Sequence, residues 1–187
     1  RPADDNADKL DIQRAMAAYG MSDYTLLERG GVTYGIFGIF GKDSHDCAPT
    51  SGFVLENAAA SAQRCVDALK EQGAQVIICL SHSGTSDKKK ESEDEQLAQK
   101  VSGIDVIVSG HTHTTLTEPI VVNDTYIVSC GPYCGNLGSL TLTGVFGDSK
   151  KTLVDYHLTP IDEQLPGDAG IAQIVESVIA DYDLRDE

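Results

Sequence analysis

The sequence predicts an α/β fold whose core strands are parallel and whose later strands continue antiparallel. Three observations predict it. Residues 75–80 and 104–109 are short apolar runs (QVIICL and IDVIVS) separated by a helical pattern. Strand, helix and strand within about thirty residues form a βαβ unit, whose strands run parallel. Upstream, residues 24–28 and 32–40 flank Gly30-Gly31 in the manner of a β-hairpin. Between the two, Leu55, Ala58, Ala59, Ala62, Cys65, Val66 and Leu69 recur at the 3.6-residue period of one helix face.

Residues 1–22 are acidic and polar, with a weak helical stretch over 9–19, and are set apart from a main unit over 23–187. The second hairpin strand, VTYGIFGIF, is nearly all apolar, which predicts cover on both faces. Residues 43–52 read as a loop, and Gly73 ends the helix that follows it. After strand 75–80 comes a polar loop, 81–91, whose Lys88-Lys89-Lys90 run reads as solvated. Ser92-Glu93-Asp94-Glu95 has the form of a capping box and starts a helix to about Val101, which Gly103 breaks. Beyond strand 104–109, four short alternating strands are expected at 120–122, 125–129, 139–143 and 152–158. Asn123-Asp124 and Gly147-Asp148 mark turns between them. A terminal helix over 169–182 carries Ile171, Ile174, Val175, Val178 and Ile179 on one side.

Composition excludes several function classes. The chain has 187 residues, is 41% hydrophobic and carries a formal charge of −15. That apolar content supports a globular core and argues against disorder. The acidic field repels phosphate backbones and anionic lipid, so a nucleic-acid polymer is not an expected partner. The apolar runs are too short to insert in a bilayer. The chain opens on Arg1 rather than Met, from which we expect an internal piece of a longer protein. Its five cysteines show no paired spacing. Cys65 and Cys79 read as buried small hydrophobes, and Cys130 and Cys134 flank a turn with no disulfide state specified.

The chemistry concentrates at strand ends. Ligand sites of open α/β sheets lie at the carboxyl ends of strands. Strand 75–80 leads into Ser81-His82-Ser83-Gly84, and strand 104–109 into Gly110-His111-Thr112-His113-Thr114. Neighbouring parallel strands bring both loops to one edge, where three imidazoles converge. In extended backbone His111 and His113, two residues apart, share a face. Neutral imidazole suits Zn, Mn, Fe, Co or Ni. His82, His111 and His113 are therefore the expected metal ligands. His45 lies past another apolar strand but in a polar loop, where a peripheral role is expected, and His157 reads as structural. No carboxylate accompanies the three histidines in their own loops, and Asp105 lies at the opposite strand end. Hydrolytic two-metal sites need anionic ligands, so the three histidines make half of a site. The competing reading is a non-catalytic α/β interaction module with structural histidines. An amidohydrolase, which also uses His-x-His, fits the strand order poorly.

The segments VIICLSHSGT, GIDVIVSGHTHT and SCGPYCGNLGSLTL, with the hairpin strand GVTYGIFGIFG, resemble the second half of a calcineurin-like metallophosphoesterase domain. The similarity is to the branch of 5′-nucleotidases and 2′,3′-cyclic-nucleotide phosphodiesterases and extends over about residues 24–160. It implies part of a four-layer α-β-β-α sandwich with mixed sheets. It implies two divalent metals, one held by His82 and His111 and the other by His113, which lower the pKa of water and offset charge on phosphoryl oxygens. It implies a nucleotide or other phosphoester as substrate and an extracytoplasmic location. The resemblance carries none of the family's Asp-x-His, bridging Asp and Asn-His-Glu or Asn-His-Asp motifs onto this sequence. The implied partner is therefore a missing N-terminal half of the catalytic domain, without which the fragment binds metal weakly and hydrolyses little. No catalytic residue is carried over.

Overall fold

The hairpin forms one edge of the main sheet. In a computed structural model, which describes residues 2–4, 6–144 and 151–183, β1 (Tyr24–Arg29) and β2 (Val32–Phe40) pair antiparallel. Gly30 and Gly31 join them with φ of 58° and 77°, the left-handed conformation a two-residue primed turn requires. β2 pairs in parallel with β3 (Val76–His82), and β3 in parallel with β4 (Val106–Ser109). β6 (Thr125–Val128) lies parallel to β4, and β5 (Ile120–Val122) closes the far edge antiparallel to β6. The six-stranded sheet is mixed, with order β1-β2-β3-β4-β6-β5, as the α/β reading requires.

The crossover helices α3 (Ala58–Glu71) and α4 (Glu93–Lys100) cover one face of this sheet. Asn57 caps α3, its Oδ1 accepting from Ala60 N at 2.9 Å, and Gly73 turns the chain away at φ 86°. The helix stripe Ala62, Val66 and Leu69 is buried against Phe37, Ile77, Cys79, Ile107 and Ile127. These sheet positions alternate along their strands, as side chains on one face must. Contact is close at Gly35, where an added Cβ would lie 2.9 Å from both Leu69 methyls.

The opposite face is only partly covered. Tyr34, Ile78, Val106 and Val128 face an apolar groove of about 770 Å³, whose far wall is β7 (Asn136–Thr143). Phe40, Leu80 and Val108 are exposed. The expected cover on both faces of β2 is thus corrected to close cover on one face and partial cover on the other. The later strands also differ from the expected antiparallel continuation. β6 enters the main sheet in parallel, while β7 and β8 (Thr152–Pro160) form a separate two-stranded sheet. Alternating sequence marks a half-exposed strand but does not choose its neighbour. The expected turn at Gly147-Asp148 lies outside the described residues.

Residues 43–52 are not wholly a loop, because they follow the start of a short helix, α2 (Lys42–Asp46). α1 (Ala7–Tyr19) buries none of its side chains. α5 (Ala169–Asp183) leaves Ile171, Ile174, Val175, Val178 and Ile179 exposed. Cys79 is buried as expected, Cys65 only half-buried, and all five cysteines are free thiols.

Leu69→Ala is expected to cost about 2–5 kcal/mol, as deletion of a fully buried leucine does. Gly35→Ala is expected to cost about 1–3 kcal/mol by overpacking, and distinctly less in the Leu69→Ala background. Urea unfolding of the four species checks this; strictly additive costs would contradict the close approach.

Candidate metal centre

Backbone pairing brings the two histidine loops together. Ser81 and Ser109 form the last register pair of β3 and β4, and Gly110 N donates to Ser81 O at 2.8 Å just beyond it. Gly110 keeps this approach unstrained, since a Cβ would sit a tight 3.3 Å from His82 Nδ1. The rings of His82 and His111 consequently meet, with centroids 5.1 Å apart and planes tilted by 59°. His82 lies on the incompletely covered face of the sheet, stacked on Phe40, its register partner in β2, at 5.8 Å.

His113 is placed differently. Its ring meets the edge of Tyr133 at a centroid distance of 5.3 Å. The expectation of extended backbone through this loop is overturned, because His111 and His113 both take positive φ, 73° and 54°. Left-handed backbone at non-glycine residues is unfavourable and persists only where surroundings impose it. Thr112 supplies part of that imposition. Its Oγ1 accepts from Thr85 N at 3.1 Å and lies 3.0 Å from Thr114 Oγ1, and its methyl would be 2.3 Å from a Cβ on Gly84. Gly84 has φ 95°, so both space and backbone demand glycine there.

A carboxylate reaches the histidines from a third loop. Asp43 Oδ2 lies 2.9 Å from His111 Nε2. Asp43, Cys47 and His111 each bring one ligand atom to within 4.8 Å of the other two. Sequence reasoning missed Asp43 and Cys47. The available signal was their position just past the carboxyl end of β2, beside the strand that ends in His82. His45, singled out from the same segment, turns away, its Nε2 2.8 Å from Phe53 O. His157 sits on exposed β8 beside Asp155, Nδ1 to Oδ2 2.7 Å, far along the chain from these loops. Asp105 pairs with Lys151 at 3.2 Å and accepts from Ile77 N at 2.7 Å, at the end of the strands opposite the histidines, as expected.

The start of α4 holds these loops in place. Ser92 occupies the N-cap position but makes no side-chain cap bond, and its buried Oγ has no partner among the described residues. The expected capping box is therefore corrected. Glu93 and Asp94 turn outward from the helix instead. Glu93 accepts from Lys42 N at 2.8 Å and Asp43 N at 2.9 Å, capping α2 with a side chain from another helix. Gly41 permits this approach, since a Cβ would meet Ser83 Cα at 2.5 Å and Glu93 Oε2 at 2.8 Å. Asp94, fully buried, accepts from Ser81 Oγ at 2.5 Å, Ser109 Oγ at 2.5 Å and Gly84 N at 3.2 Å. Burial pushes its carboxyl above the ordinary carboxylate value, while the bonds from Ser109, Ser81 and Gly84 pull the other way.

The arrangement offers imidazole nitrogen, carboxylate oxygen and thiol sulfur at one accessible rim. That donor set suits a borderline divalent cation such as Zn, Co or Fe. A cleft of about 660 Å³ opens beside it, lined in part by Lys42, Asp43, Ser83 and Thr112.

Comparisons with known proteins bear on the family and the fold. The family model described as calcineurin-like phosphoesterase matches residues 5–115. The chain is 33% identical over 153 residues to the trifunctional nucleotide phosphoesterase YfkN of Bacillus subtilis, covering 77% of this chain and 10% of that protein. It is 38% identical over 94 residues to the 5′-nucleotidase of Rattus norvegicus, covering 50% of this chain and 15% of that one. A 5′-nucleotidase precursor from Thermus thermophilus superposes with a TM-score of 0.68 at 24% identity, covering 87% of this chain and 34% of that one. This last likeness shows the fold. The chain thus spans a tenth to a third of the length of these proteins.

Because its folded carboxyl binds a proton more tightly than the unfolded one, Asp94 contributes most stability at low pH. That contribution is lost as pH rises from the ordinary carboxylate value through the raised one. The stability of the wild type relative to Asp94→Asn is expected to fall across that window and level off above it. Denaturant unfolding at a series of pH values checks this; a rising difference would contradict the burial effect.

Proposed function

The chain belongs to the calcineurin-like phosphoesterase family, and on that premise we propose that it carries the histidine half of a divalent-metal site for hydrolysing nucleotide phosphoesters. Phosphoesterases of this family are hydrolytic and use divalent metals. The observation that supports this reading most is the meeting of His82 and His111, one from the end of each of two adjacent parallel strands. Structural histidines in unrelated loops have no reason to converge at a strand-end rim open to solvent.

The residues present fit a divalent cation by their donor chemistry. His82 and His111 would hold one ion. Asp43 orients His111: a carboxylate only accepts, so in the neutral ring Nε2 carries the hydrogen and Nδ1 keeps the free lone pair. His113, in the same loop, would serve a second ion, completed by ligands from the N-terminal half of the catalytic domain. The metals would supply Lewis acidity, which offsets charge on phosphoryl oxygens and acidifies water. A local positive centre would also overcome the repulsion that a chain of charge −15 imposes on an anionic substrate.

The incompletely covered apolar face that bears His82, Phe40 and Leu80 is where we place the N-terminal half. Docking there would close the sheet on its second side and bring the remaining ligands to the histidines in one step. Nucleotide monoester and cyclic-ester hydrolysis both fit this proposal. An extracytoplasmic location belongs to it as well. Among the described residues, no helix is long and apolar enough to cross a membrane.

Metal titration of the chain against His111→Ala tests the ligand assignment. Weak binding by the wild type is expected to drop at least tenfold in the variant, and equal affinity would overturn the assignment. Supplying the N-terminal half in trans and following phosphate release from nucleotides tests the activity. A folded, metal-loaded complex that releases no phosphate would overturn the nucleotidase reading in favour of a non-catalytic module.

A further inference from the structure

The structure assigns to Asp94 a positioning role, in which its carboxylate holds the ends of β3 and β4 at the spacing that brings the His82 and His111 rings together. The functional meaning of this role rests on the metal-site proposal; the geometry itself belongs to the chain alone.

Ser81 immediately precedes His82, and Ser109 lies two residues before His111. Asp94 takes one hydroxyl from each strand, Ser81 on Oδ1 and Ser109 on Oδ2. A carboxylate offers acceptors alone, so both serines must donate to it. The Ser83 hydroxyl then donates to Ser81 Oγ, 2.9 Å away, which fixes the direction of the whole chain of bonds. Ser81↔Ser109 is the last rung of the ladder. Past it the strands diverge into loops, and side chains must set the spacing. Asp94 also closes the first loop at its far end. Gly84 N donates to Asp94 Oδ2, and Asp94 N donates back to Gly84 O at 3.1 Å. The four residues around His82 are thus clamped at both ends by one residue.

The location explains how a buried carboxylate is tolerated. Asp94 is in the first turn of α4, where the helix dipole favours negative charge. Its three donors replace the water it lost. A hydrophobic residue there would leave the Ser109 hydroxyl and the Gly84 N–H buried without the partner they have now, and Ser81 with Ser83 alone, at a desolvation cost. A purely scaffolding carboxylate could stand at either end of the strands. This one binds a serine next to His82 and a serine two residues before His111, and among the described residues its hydrogen bonds all lie at that end. Its neighbour Glu93 holds Lys42 N and Asp43 N, and so governs the third loop, whose Asp43 meets His111. One turn of helix therefore controls all three loops.

The test is a nuclear Overhauser contact between the His82 and His111 ring protons, measured on the full chain after removal of metal by a chelator. Wild type is expected to show it. Asp94→Ala is expected to lose it while methyl resonances of Ile107 and Ile127 keep their positions, and Asp94→Asn, which retains one acceptor, is expected to show a weakened contact. Leu69→Ala, destabilised elsewhere in the core, is expected to keep the contact at full strength. A wild-type contact in folded Asp94→Ala would overturn the inference. Should Asp94→Ala not fold, Ser109→Ala removes one arm and decides in the same way: a weakened contact supports the role and an unchanged one overturns it. A cobalt(II) titration of wild type is read separately. Absence of His82-dependent or His111-dependent binding, alone and with the N-terminal half, would sink the metal-site proposal and leave the positioning result standing.

Discussion

Two neighbouring carboxylates on the first turn of α4 hold the loops at the carboxyl edge of the sheet. Glu93 takes the backbone N–H groups that open α2, and Asp94 takes a serine hydroxyl from each of β3 and β4. Strand pairing can align two strands only as far as their last rung, and everything past it needs another constraint. Here that constraint comes from the helix that connects the same two strands. The glycines at 41 and 84 belong to the same arrangement, because each stands where a Cβ would strike a neighbouring loop. A rim made in this way is rigid at its base and open at its tip, where His82, His113 and Asp43 remain accessible.

The sheet is one-sided in a manner that bears on function. Helices α3 and α4 bury Phe37, Ile77, Ile107 and Ile127 on one face. On the other, Phe40, Leu80 and Val108 stay exposed above an apolar groove. His82 is the polar end of that second face, since it continues the alternation of Val76, Ile78 and Leu80. A partner layer settling there would meet the histidine rim directly. Family membership and the one-sided sheet both accord with the proposal that this chain is the histidine-bearing half of a phosphoesterase sandwich.

Much of this was legible in the chain. The βαβ unit, the hairpin at Gly30-Gly31 and the helix face ending at Leu69 follow from periodicity and turn chemistry, which are local properties. The two histidine loops were legible because each directly follows an apolar strand. Asp43 was not, because its contact with His111 spans 68 positions and its one signal, a place just past an apolar strand, is shared with the other polar residues of that segment. Nor was the role of Ser92-Glu93-Asp94-Glu95. The motif has the letters of a capping box, yet Glu93 and Asp94 find stronger partners in other loops and the serine stays unbonded. The backbone of His111 and His113 was misread for a related reason. Between them Thr112 is held by Thr85 and packed against Gly84 across the rim, contacts that no local sequence pattern announces.

By itself the sequence determined the kinds of elements, the parallel pairing of β3 with β4, and the edge of the sheet at which the His82 and His111 loops meet. These follow from hydrophobic period, glycine placement and the geometry of a short crossover, all of which act within about thirty residues. The tertiary structure decided which loop supplies a carboxylate to His111, that β7 and β8 leave the main sheet, and that one face stays partly bare. Each of these is settled by groups far apart in the chain that compete for the same space or the same hydrogen-bond donor, and such competition is resolved only when the chain has folded around them.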